Sequence, residues 1–218
     1  MSNIETFVSE LEKTNTPLNL FNPYKEVCNI HDLPNAPAMR RRNLKRLLYA
    51  HKERGSQILW IFEAPSHLGA RRSGAPFVNE RNFEEIEGLL GTSESFEKAT
   101  HGAAKAALTT VITWKLAQEL KLVPLIWETL PFHPHQAGKP LTNRRPSSKE
   151  IIAYKHFLLE ILEIFSPNRV LAIGRVAESA LDLCGVEATY VRHPAQGGAA
   201  LFRDQVKAIS AKDGNVVR

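Results

Sequence analysis

The chain has 218 residues, 43% hydrophobic and 23% charged, ordinary values for a soluble globular protein with room for a sizeable core. Two cysteines, Cys28 and Cys184, exclude a disulfide scaffold and also an iron–sulfur cluster, which needs about four thiolates. The acidic first dozen residues and the lack of a long apolar run speak against a leader or a membrane span, so a cytoplasmic protein with reduced thiols is expected.

In chain order, residues 3–13 predict a short amphipathic helix with Phe7 and Leu11 on one side. Residues 14–38, rich in Pro and Asn, read as an irregular connection, and 39–53 as a basic helix. The apolar run at 58–62 is a buried strand that empties into a loop through Gly69, Gly74 and Pro76. A long helix is expected over 96–120, with Ala103, Ala104, Ala106 and Ala107 on a close-packing face. A second buried strand follows at 122–127, ending in polar residues and prolines. Ser147 or Ser148 caps a helix whose apolar positions Ile151, Ile152, Phe157, Leu158, Ile161 and Leu162 recur at helical spacing. A third strand at 170–173, a helix at 176–183, a fourth strand at 189–191 and a helix at 199–208 complete the pattern, and the tail 210–218 reads as loose.

Strands separated by helices imply parallel pairing, hence an α/β chain with a central four-stranded parallel sheet between helical layers. Such sheets bind ligands at the carboxyl ends of their strands. Glu63, Glu128 and His193 each follow a strand immediately, so they are expected to converge on one edge. No repeat or linker divides the sequence. One domain over 1–218 is expected, with a helical N-terminal extension up to about residue 55.

Net charge is +5 and the pI about 9.3. The basic residues cluster at Arg40, Arg41, Arg42, Lys45 and Arg46, at Arg71 and Arg72, and at Arg144 and Arg145. Such clusters fit either a polyanionic partner or a solvated charged face. His133 and His135 have spacing that would allow a metal on a strand, but no third ligand follows, and no metal or cofactor is expected. A carboxylate at a strand end, a Gly-punctuated loop and an aromatic at Phe77 can set an acid beside a planar ligand. They can equally be a capping Glu and a core Phe.

Three segments carry a resemblance. FEAPSHLGARRSGAPFVNE (62–80) resembles the first catalytic motif of bacterial uracil-DNA glycosylase-like proteins, G-E-A-P-G followed by G-x-P-F. TLPFHPHQAGKPLTNRRPSSKE (129–150) resembles their middle block, and RHPAQGGAALFRDQV (192–206) their second catalytic motif. The order of the three is the family's, and together they cover roughly residues 58–206.

The resemblance to the uracil-DNA glycosylase superfamily implies a three-layer α/β/α sandwich that binds DNA, flips a deaminated base and hydrolyses its bond to deoxyribose. It places Glu63 beside the sugar and His193 beside the departing base. Ala64, Phe77 and Glu128 fall at the base, and Ser66, Arg71, Arg72, Asn143, Arg144, Arg145, Gln196, Gly197 and Gly198 at the DNA. A monomer without cofactor is expected.

Two departures leave alternatives open. Glu128 stands where relatives typically carry Asn, and Phe62 where a Gly usually precedes the acid. An ionised Glu only accepts hydrogen bonds, whereas a neutral one both donates and accepts. Three alternatives to uracil cleavage follow: a base other than uracil, a fold that binds DNA without turnover, or a pocket that hydrolyses nucleotides or nucleosides.

Overall fold

The computed structural model describes residues 3–214. Helix α1 (Ile4–Lys13) starts at Asn3, whose side chain accepts from the Thr6 amide at 2.8 Å. A two-residue strand β1 (Leu20–Phe21) precedes α2 (Ala36–Glu53). Strand β2 (Ile58–Phe62) leads to the four-residue helix α3 (Ala70–Ser73), a 3-10 turn (Glu80–Asn82) and α4 (Phe83–Leu90). Then come α5 (Leu108–Glu119), β3 (Leu125–Glu128), β4 (His133–Pro134) and α6 (Ser148–Phe165). Strand β5 (Arg169–Ile173), α7 (Arg175–Leu183), β6 (Thr189–Val191) and α8 (Ala199–Gly214) complete the chain.

The main sheet has the order β3-β2-β5-β6 with every pairing parallel, as expected. Side chains alternate across a strand, and the two cores follow that alternation. Leu59, Ile61, Leu125, Trp127, Val170 and Ala172 face one layer with α1, α6 and α7. Trp60, Phe62, Ile126, Leu171, Ile173 and Val191 face the other with α4, α5 and α8. Helix α2 contributes to both, through Leu44 and Leu48 on one side and Leu47 and Ala50 on the other. The result is a three-layer α/β/α sandwich. Phe7 of α1, fully buried, packs its ring 5.4 Å from that of Trp127, so the N-terminal helix belongs to the sheet's core.

Several expectations are corrected. The helix expected over 96–120 begins only at Leu108. The residues before it are drawn into pairing with a distant segment: the Leu33 amide donates to Ala99 O at 2.9 Å and the His101 amide to His31 O at 2.7 Å. The Ala107 amide is then taken by Asn79 Oδ1 at 3.1 Å. Tertiary partners for the backbone override alanine's helix propensity there. Helix α4 was not anticipated; it buries only Ile86 and Leu90. Helix α2 starts at Ala36, inside the segment read as irregular, with Pro37 in its first turn. The second strand begins at Leu125 rather than 122. Residues 210–214 continue α8, and 215–218 lie outside the described residues.

Candidate active site at the carboxyl edge of the sheet

From β2 the chain steps to β3 on one side, then crosses to β5 on the other. Parallel sheets open a crevice at such a reversal, outside the strands' carboxyl ends. A cleft of about 930 Å³ lies there, lined by Glu63, Glu128 and His193 together with Ala64, Ser66 and Phe77. The three polar residues expected to converge do so.

Glu63 leaves β2 half-buried, its backbone carbonyl accepting from Thr129 Oγ1 at 2.6 Å. The Thr129 amide donates to Phe62 O at 2.8 Å, so the ends of β2 and β3 are tied together. Burial raises the Glu63 pKa, and the guanidinium of Arg145 pulls the other way. A carboxyl so placed titrates closer to neutrality than a solvated one, which suits proton transfer.

Glu128 pairs in register with Phe62 and is 3% exposed. Among the described residues no group donates to its carboxyl, and burial raises its pKa well above the ordinary value. It lines the cleft, and in its protonated form it would offer one donor and one acceptor.

Phe77 holds a left-handed backbone (φ 56°), rare for a bulky residue. Its carbonyl, turned by that conformation, accepts from Trp114 Nε1 at 2.6 Å. Its ring lies 4.0 Å from that of Phe62, which meets the His193 ring edge-on at 5.7 Å. The bulky residue in the usual glycine position therefore fills space between two walls of the cleft.

His193 follows β6, and its Nδ1 accepts from the Ala195 amide at 3.1 Å. That bond requires the neutral ring to carry its proton on Nε2. Burial, and after it the charge of Arg192, lowers its pKa to about 4. Two glycines let the backbone close around this ring. Gly174 (φ 93°) is in the left-handed region, and a Cβ there would lie 3.0 Å from His193 Cβ; at Gly198 one would lie 2.1 Å from His193 O. Arg192 Nη1 donates to that same carbonyl at 2.8 Å and braces the turn.

The arginines divide. Arg71 and Arg72, expected on the rim, are 1% and 7% exposed, and neither lines the cleft. Arg71 lies over the Phe21 ring at 3.9 Å and donates to His133 Nδ1 at 2.8 Å and Pro140 O at 2.5 Å. Arg72 donates to His67 O at 3.2 Å and Thr100 Oγ1 at 3.3 Å. Partners supplied by distant segments desolvate both guanidiniums and leave them unable to reach a phosphate. Arg144 does line the cleft, but it is held by Glu150 at 2.5 Å and by the carbonyls of His135 and Asn19. Arg145 is exposed on the rim. Gln196 lines the cleft, whereas Gly197 and Gly198, also expected at the DNA, do not.

A polar clasp not foreseen from sequence joins the first and middle blocks. Because Arg71 donates to Nδ1, His133 presents Nε2–H to Asn143 Oδ1 at 3.2 Å. The same oxygen accepts from the His67 amide at 2.9 Å and from His67 Nδ1 at 3.1 Å. Asn143 Oδ1 is thereby engaged by both histidines, and the residue lines the cleft. His133 is fully buried, its pKa lowered to about 3 by burial and Arg71. It is a structural histidine, and no group of three or more metal-binding side chains occurs among the described residues.

No protein-family model and no curated protein sequence matches the chain. Its structure is similar to the crystal structure of wild-type Pedobacter heparinus SMUG2. The match has a TM-score of 0.61 at 12% identity and covers 97% of this chain and 98% of that one. The likeness shows that the two chains share a fold. No helix among the described residues is long and apolar enough to cross a membrane.

Proposed function

We propose that this protein is a DNA glycosylase that takes a single deaminated base into the cleft and hydrolyses its bond to deoxyribose. The observation that carries the reading is the convergence of Glu63, Glu128, Phe77 and His193 on one cleft at the sheet's reversal point. A glycosylase needs a carboxylate near the sugar, a donor near the departing base and an aromatic wall for it, and these residues supply all three.

In the reaction the C1′–N bond breaks and its electron pair leaves with the base. His193 Nε2–H donates to the oxygen on which that charge gathers; a neutral donor in a desolvated site stabilises it without prior loss of a proton. Ionised Glu63 stabilises the cationic sugar and orients water. The water oxygen bonds to C1′, and its proton passes to the Glu63 carboxylate. Phe77, backed by Phe62, stacks on the base. Glu128 reads the edge of the base: as a neutral acid it matches uracil's N3–H and O4, and as a carboxylate it would accept from an exocyclic amino group. Arg145 and Asn143, which both line the cleft, hold the phosphates on either side.

The experiment is a panel of oligonucleotides carrying uracil, hypoxanthine or unmodified bases, with release of free base as the readout. Release from at least one deaminated base, strongly reduced in Glu63→Gln and His193→Ala, is the expected result. Salt-sensitive binding without release from any substrate would reduce the protein to a DNA-binding member of the fold.

A further inference from the structure

The cleft is lined also by the start of α7 and by the edge strand β6. There the guanidinium of Arg175 lies over the Tyr190 ring, 4.1 Å from its centroid. Arg175 Nη1 donates to Glu178 Oε2 at 2.6 Å. The guanidinium is therefore supported by a ring beneath and a carboxylate at its edge, while the Arg175 side chain remains 70% exposed. Neither residue serves the core: both stand at the edge of the sheet and both line the cleft.

The pair is one step from the reacting centre. Arg175 follows Gly174, whose backbone presses on His193, and Tyr190 lies three residues before His193. We propose that Arg175 and Tyr190 form a second nucleotide subsite, a stacking platform for the base adjacent to the one drawn into the cleft. The inference rests on the DNA-glycosylase reading. Guanidinium planes and aromatic rings stack on any base, because every base has a π-face. Glu178 makes stacking the better account than phosphate binding: its carboxylate already neutralises Arg175 and would repel a phosphate. Arg145 carries no such hydrogen-bonded carboxylate among the described residues, so the two arginines divide the work, Arg145 taking phosphate and Arg175 a base.

The test measures oligonucleotide affinity by fluorescence anisotropy across a range of salt, using a uracil-containing single strand with 2-aminopurine beside the uracil. Tyr190→Ala and Arg175→Ala should each weaken binding by roughly 5- to 100-fold, the range for losing one stacked base, without changing the salt slope. Arg175→Lys, which keeps the charge and loses the plane, should lose most of that affinity, and Tyr190→Phe should keep it. The 2-aminopurine fluorescence should be quenched on binding by the parent and recover in Tyr190→Ala. If Tyr190→Ala disturbs folding, Arg175→Ala, on the surface, carries the test. Full rescue by Arg175→Lys, or unchanged affinity in Tyr190→Ala beside a weakened Arg145→Ala, overturns the subsite and leaves the glycosylase reading standing. A parent that binds no oligonucleotide overturns both.

Discussion

Replacing Glu128 by Gln tests whether the buried acid is neutral. Below the ordinary carboxylate value of 4.5 both the folded and unfolded chains are protonated and the residue costs nothing. Above it the unfolded chain releases the proton while the fold, with its raised pKa, keeps it. Stability therefore falls as pH rises from 4.5 to the folded pKa and is level beyond. The slope across that window is about 1.4 kcal/mol per pH unit. For a chain of this size, each kcal/mol moves Tm by about 2–4 °C. The amide cannot ionise, so Glu128→Gln should gain on the parent by about 3–6 °C per pH unit throughout the window. The assay is thermal melting of both proteins from pH 4 to 9. Uracil release measured in parallel should fall in the parent as pH passes the folded pKa, and not in the variant. A Tm gap that does not change with pH would refute the neutral acid. Loss of uracil release in the variant, with the parent still active at alkaline pH, would refute its role in reading uracil.

Three further outcomes are expected. His193, with a pKa of about 4, should leave base release independent of its titration from pH 5 upward and cause a fall as pH drops through 4; His193→Ala should lower kcat by about 100- to 1000-fold. Arg145→Ala should weaken DNA binding alike for all sequences and reduce the salt slope by about one, whereas Arg71→Ala should chiefly lower Tm, by breaking a buried network, as thermal melts would show. Gly198→Ala, forcing a Cβ to within 2.1 Å of His193 O, should displace the His193 turn and depress kcat while DNA affinity measured by anisotropy changes less.

The sequence by itself determined the sheet and the convergence of its chemistry. Apolar runs such as Ile58–Phe62 and Arg169–Ile173 are long enough, and polar enough at their ends, that burial leaves them one arrangement. With helices between them, the residues just past each strand must meet at one edge, as Glu63, Glu128 and His193 do. Only the tertiary structure decided which arginines reach solvent. Arginine in a Gly-punctuated loop ordinarily stays hydrated, yet Arg71 finds Phe21, His133 and Pro140, none of them its neighbours in the sequence. The residues before α5 were likewise diverted from a helix by backbone partners some 70 residues away. The pKa shifts of the cleft came from the same source. Nothing local distinguishes Glu128 from a solvated glutamate; its pKa is raised by the desolvation that the packed strands and loops around it impose.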